Sequence, residues 1–169
     1  MKKVREEKTK ITDSLNTLLP KIDFTDTFAT TNHTNSIEEI TNLVFDISPT
    51  WINWLFEIRN KIAGVFGLHT EPPTDYNENF EVGSYVKYFK IYGKSAHEII
   101  LGADDSHLNF RAIVTNQQTD FHNIKVITLV EYNNLKGKIY MGIIKPFHRI
   151  ILKSMVKNAF NDETELIHE

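Results

Sequence analysis

The sequence predicts an α+β fold in which an antiparallel meander is followed by one long helix. Three observations lead there. Two capped helix starts stand close together in the first half of the chain. Four aromatic and β-branched runs then follow with short connections. Finally, Lys138 to Phe160 carries Ile143, Phe147, Ile150, Ile151 and Met155 at helical spacing.

The first helix signal is Ser36-Ile37-Glu38-Glu39, a capping box in which the Ser hydroxyl takes the Glu39 amide and Glu39 reaches back. A short helix is expected from there to about Asp46. Ser48-Pro49 opens the second, with Ser as cap and Pro at the first helical position, where its missing N–H costs nothing. Ile52, Leu55, Ile58 or Arg59, Ile62 and Val65 or Phe66 continue at three- and four-residue spacing, and Gly67 supplies the stop. The expected helix spans Pro49 to Phe66. Residues 69 to 80, with two prolines and several Asp, Asn and Glu, read as a loop.

Strands are expected at Tyr85 to Tyr92, Ala96 to Leu101, His107 to Thr115 and Ile124 to Tyr132, and Gly93-Lys94-Ser95 turns the first of them. A two-residue loop at Asp104-Asp105 would set Leu101 against Leu108 and Ile99 against Phe110. It would also set Glu98 against Arg111 on the polar face, as a cross-strand ion pair. In the long last element Pro146 removes a backbone bond and crowds the carbonyl of Gly142, so a kink or a fresh helix start is expected there.

At 169 residues the chain has the size of one domain with a sizeable core. It has no cysteine, which excludes disulfides, thiolate metal sites and cysteine nucleophiles and agrees with an expected cytoplasmic location. A net charge of −3 gives no global basic field for nucleic acid. No run of about 18 apolar residues predicts a membrane span. The first ten residues hold five Lys/Arg and two Glu with no apolar stretch behind them, so residues 1–20 read as a flexible basic arm. Ile11, Leu15, Leu18 and Leu19 form a short amphipathic turn within it. Residues 21–161 are the domain, and 162–169 an acidic tail. Dinucleotide, P-loop, hydrolase-elbow and zinc-protease motifs are missing.

Several segments, in order, resemble one family. They are Pro49-Thr50-Trp51 with Leu55, Arg59-Asn60 and Gly67-Leu68; Glu98-Ile99-Ile100-Leu101-Gly102 with Asp104 to Arg111; and Asn133-Asn134 with Lys145 to Ile151. Together they resemble the family catalogued as domain of unknown function 2867, over about Asp23 to Phe160. That family is similar to the SRPBCC (START-like, helix-grip) superfamily. The resemblance implies a curved antiparallel sheet wrapped around a long C-terminal helix, with two short helices after the first strand. That first strand would lie near Asp23 to Ala29, for about five strands in all. It also implies a cavity for a hydrophobic or amphipathic, lipid-like small molecule and no cofactor. Some relatives are fused to NAD-binding reductase-like domains, so a separate reductase, or a second copy as a homodimer, is a candidate partner.

Trp51, Trp54, Phe89, Phe110, Tyr140 and Phe147 are the expected cavity lining, with Arg59 as a clamp for a carboxylate or phosphate. Each has a plain structural reading as well, in the core or as a tie to a neighbouring acid. For a cyclase- or hydrolase-like enzyme the acid–base candidates are Glu98, His107 and His148. Against that, His107 also suits a hairpin cap, Glu98 a surface pair, and His148 a donor to a carbonyl freed by Pro146. The spacing Asp-Asp-x-His offers no metal-site template.

Overall fold

The computed structural model describes residues 3–46, 57, 60, 61, 64, 65, 77, 79–87 and 89–161. Seven antiparallel strands form one sheet: β1 (Arg5–Glu7), β2 (Phe24–Thr30), β3 (Tyr85–Val86), β4 (Phe89–Lys94), β5 (Glu98–Asp104), β6 (Leu108–Asn116) and β7 (Ile124–Tyr132). Their order is β1-β2-β7-β6-β5-β4-β3, so the meander β3 to β7 is joined at β7 by the early strand β2. Helices α1 (Asp13–Asn16), α2 (Ile37–Phe45) and α3 (Leu135–Asn158) complete the described elements. The architecture is α+β, as expected.

The capping box forms as read. Ser36 Oγ accepts from the Glu39 amide at 3.2 Å, and Glu39 accepts from the Ser36 amide at 2.8 Å. Of the helix expected over Pro49 to Phe66, Glu57, Asn60, Lys61, Gly64 and Val65 are described, and these five are helical. Trp51, Trp54 and Arg59 lie outside the described residues, as does the acidic tail. Helix α3 runs unbroken through Pro146 from an Asn134 cap, starting three residues before the expected Lys138.

Among the described residues there are seven strands where five were expected. The run Tyr85 to Tyr92 divides at Lys87, whose φ of 56° makes a tight turn between β3 and β4. Gly93 and Lys94 belong to β4 across a bulge, not to a turn. The seventh strand comes from the basic N-terminal segment, where β1 pairs along the free edge of β2. That segment does more than cover an edge. Leu15 and Leu19, with Leu18 and Ile22, pack on Ile113, Ile127 and Leu129 behind the sheet. Strands β6 and β7 are apolar at successive positions (Ile113 and Val114 are both 0% exposed), so both of their faces need cover.

The larger core lies on the other face. Phe28, Ile91, Ile99, Leu101, Val114, Ile124 and Val126 meet α2 through Ile40 and Val44, and α3 through Leu152, Met155 and Val156. A polar clasp closes one end of it. The Asn32 amide donates to Asn123 Oδ1 at 3.0 Å, Asn123 Nδ2 returns a bond to the Asn32 carbonyl at 2.7 Å, and Asn32 Nδ2 reaches the Ala159 carbonyl at 2.8 Å. Both asparagines are fully buried. Asn32→Ala leaves the Ala159 carbonyl and the Thr34 and Asn35 amides without this partner. It should destabilise the fold by about 2 kcal/mol, read as a lower urea midpoint.

The hairpin β5–β6 differs from the expected register by four residues. Leu101 faces Ala112, Ile99 faces Val114 and Glu98 faces Thr115. The Asp105 amide bonds the Leu108 carbonyl at 3.0 Å, so Ser106-His107 form the turn. Arg111 consequently pairs with Asp104 at 2.7 Å and not with Glu98. Face sorting survives because the shift is even.

Candidate functional site

Register places three rows side by side on the α3-facing surface of the sheet. The first contains Ala103, Phe110, Val130 and Phe24. The second contains Ile91, Leu101, Ala112, Thr128 and Asp26, and the third Ile99, Val114, Val126, Phe28 and Glu6. The second row is closed, with Ile91 at 1% and Leu101 at 0% exposure. In the first row Ala103 and Phe110 remain half-buried, as does Phe89 beside them. Phe89 stacks edge-on against Phe110 and against Phe45, at 5.4 Å in each case. These residues form a half-buried apolar patch at one end of the sheet.

The second row ends in a carboxylate. Asp26 shares the inward phase of Phe24 and Phe28, and its side chain is 6% exposed. His148 reaches it from α3, with Nε2 3.2 Å from Oδ2. Among the described residues no aligned hydrogen bond reaches either Asp26 oxygen or His148 Nε2. The imidazole meets Phe24 edge-on at 6.1 Å, and the ammonium of Lys145 lies 5.0 Å from the same phenyl ring. Next along α3, Arg149 is held by Glu6 of β1 at 2.6 Å.

The other acid–base candidates stand apart. Glu98 opens β5 on the opposite sheet face, where burial raises its carboxyl above the usual range. His107 sits at the far end of the same hairpin, roughly 20 Å away along the strand. Its ring packs edge-on against Tyr140 at 5.2 Å, and its Nδ1 lies 3.3 Å from Asp105. The turn around it is fastened to the start of α3. Asn133 Nδ2 donates to the Asp105 carbonyl, Asn134 Nδ2 to the Ser106 carbonyl, and the Asn133 amide to the His107 carbonyl at 3.0 Å. His107 and Tyr140 are therefore tied into the docking of α3, and Tyr140 is buried. Phe147 is half-buried on the same helix.

On the back of the sheet, Arg111 lies over the Tyr92 ring at 3.7 Å and donates to Asp104 at 2.7 and 3.3 Å. Burial works to raise the Asp104 carboxyl, but the guanidinium outweighs it and holds the group below its usual range. An open cleft of about 510 Å³ lies at the start of α3, lined by Lys21, Asp23, Tyr132, Asn134, Leu135 and Lys138. Its Tyr132 packs on the same apolar cluster as Phe110. Among the described residues no cluster of three or more His, Cys, Asp or Glu could hold a metal ion.

Asp26 is the residue that sequence reasoning missed. The signal was present as Phe24-x-Asp26-x-Phe28, an acid in the phase of two buried aromatics. Its partner lies far along the chain on α3, beyond the reach of local pattern.

Among the described residues the fold and site define a class: an antiparallel sheet with a long helix laid across one face, a half-buried aromatic patch and a contact between buried Asp26 and half-buried His148 on that face. The chain belongs to the family described as "Protein of unknown function (DUF2867)", whose model matches residues 18–155. No curated protein and no solved structure matches it.

Proposed function

We propose that the protein binds a hydrophobic or amphipathic small molecule between the sheet and α3, as a member of the helix-grip, SRPBCC-like group. The observation that carries this reading is the half-buried set Phe89, Ala103 and Phe110 beside a closed row. Small molecules bind in concave, mostly aromatic sites with a few placed polar groups. Phe89 and Phe110 supply the apolar wall. Asp26 and His148 supply polar atoms with unused hydrogen-bonding capacity at the other side of the face.

Ala103→Trp covers the patch while leaving the core rows in place. With 1-anilinonaphthalene-8-sulfonate as the probe, affinity should fall about tenfold or more, a loss of about 1.4 kcal/mol, at an unchanged urea midpoint. Unaltered affinity would remove the patch from consideration. Native mass spectrometry followed by organic extraction then identifies the natural occupant.

A second reading is favoured by one observation, the Asp26–His148 contact at 3.2 Å. In that reading the bound molecule is also a substrate, and His148 moves its proton. Service to a separate NAD-binding reductase is a third reading, and it draws on the resemblance alone.

A further inference from the structure

Helix α3 has two unlike faces. Tyr140, Met141, Ile144, Leu152, Met155 and Val156 are buried against the sheet and α2. Facing away, Leu135, Ile139, Ile143 and Ile150 are 68%, 46%, 43% and 51% exposed. At 100° per residue these four fall within an arc of about 80°. Exposed Lys138, Lys145, Arg149 and Lys153 occupy the adjoining arc, and Lys136 and Lys157 are exposed as well. The helix holds these six Lys/Arg and no Asp or Glu. The remainder of the chain holds 13 Lys/Arg against 22 Asp/Glu, from totals of 19 and 22. A net-acidic protein has thus placed a strongly basic, apolar-striped helix face at its surface.

We propose that this outer face of α3 docks on an anionic phospholipid bilayer, with the helix axis parallel to the membrane plane. The geometry is that of an interfacial helix. Its 24 residues extend about 36 Å. The aliphatic stripe enters the boundary between headgroups and acyl chains, and the flanking lysines extend their ammonium groups to the phosphates. Each cation near such a surface adds attraction that falls off within a Debye length. No helix among the described residues is long and apolar enough to cross a membrane, so α3 lies on the surface and does not span it.

Charge and composition select this occupant over others. A second copy packed face to face about a two-fold axis would set six cations against six. A protein partner favours aromatic, Met and Arg anchors and disfavours Lys. This stripe is purely aliphatic, five of its six cations are Lys, and the one Arg is already engaged by Glu6. The inference stands apart from the aromatic patch, since none of its residues is needed to bind a ligand there.

Co-sedimentation with vesicles tests it directly. The full chain should sediment with phosphatidylcholine vesicles containing about 30% phosphatidylserine, should not do so with phosphatidylcholine alone, and should be released by salt. The pairs Ile139→Glu with Ile143→Glu, and Lys136→Glu with Lys153→Glu, each lie on the exposed face. Each should lower the partition coefficient about tenfold or more while the far-ultraviolet circular dichroism is retained. If the isoleucine pair disturbs the fold, the lysine pair alone decides the matter. Failure to sediment with the anionic vesicles overturns the proposal, and so does binding that is equal for wild type and folded variants. A dimer in sedimentation equilibrium that Ile139→Glu with Ile143→Glu dissolves would also overturn it, assigning the face to a second copy.

Discussion

Gly137→Ala should destabilise the protein by about 3 kcal/mol or more. A Cβ built on Gly137 falls 1.9 Å from the His107 carbonyl oxygen and 2.8 Å from its carbon. Both are backbone atoms of a turn that Asn133 and Asn134 fasten to the helix, so the turn cannot yield without loss of those bonds. The helix start must instead lift from the sheet, and Tyr140 and the His107 ring separate with it. Helix propensity opposes the result only weakly, since Ala gains about 1 kcal/mol over Gly. Gly142 is the control. It is exposed in the same helix, and a Cβ added there meets nothing within 4 Å, so Gly142→Ala should stabilise by about 0.5–1 kcal/mol. Urea titrations of both variants, followed by circular dichroism, should move in opposite directions. A Gly137→Ala protein as stable as wild type would refute the close docking of α3 on the hairpin turn.

The Asp26–His148 pair should respond asymmetrically to removal of each partner. His148→Ala takes away the polar group that faces a carboxylate only 6% exposed, at a cost of about 3 kcal/mol. Asp26→Val removes the buried acid itself. Valine suits a strand, and its neighbours across β7 and on either side are Thr128, Phe24 and Phe28. It leaves the buried Nε2 of His148 facing an apolar side chain. A cost of about 1 kcal/mol is expected, smaller than that of His148→Ala because the group left behind is an imidazole nitrogen and not a carboxylate. The companion readout is ligand affinity. Asp26→Val should bind a purely apolar probe as wild type does and bind a hydroxyl-bearing amphiphile less tightly. If Asp26→Val leaves both affinities unchanged, the carboxylate is structural.

Much of the fold was legible in sequence because it follows from local chemistry. The Ser36–Glu39 box, the limits of β7 and the helical spacing of α3 depend on residues a few positions apart. Other features were illegible for specific reasons. Alternation within β5 and β6 identified the inward face correctly, but any even shift of register satisfies alternation equally well. The turn settled at Ser106-His107 because three carbonyls there find donors at the start of α3. The basic N-terminal segment carried no strand signal of its own. It became β1 because β2 offered an unpaired edge, and Leu15 and Leu19 found an apolar surface behind β6 and β7.

The candidate site divides along the same line. Phe89, Phe110, Tyr140, Phe147 and His148 could be named from the sequence as residues of an aromatic face and a final helix. Their sorting could not. Tyr140 went into the docking of α3, Phe89 and Phe110 to a half-buried aromatic patch, and His148 to an acid that no local pattern linked to it.

By itself the sequence determined the class of fold, the helix capped by Ser36, which strand face turns inward and the absence of thiol chemistry. These are set by backbone propensity, side-chain periodicity and composition, all of which act over a few residues. Only the tertiary structure decided the hairpin register, the use of the N-terminal segment, the pairing of Asp26 with His148 and the exposed basic face of α3. Each of those depends on contacts between segments far apart in the chain, and such contacts form only when burial and unpaired backbone groups are satisfied across the whole molecule.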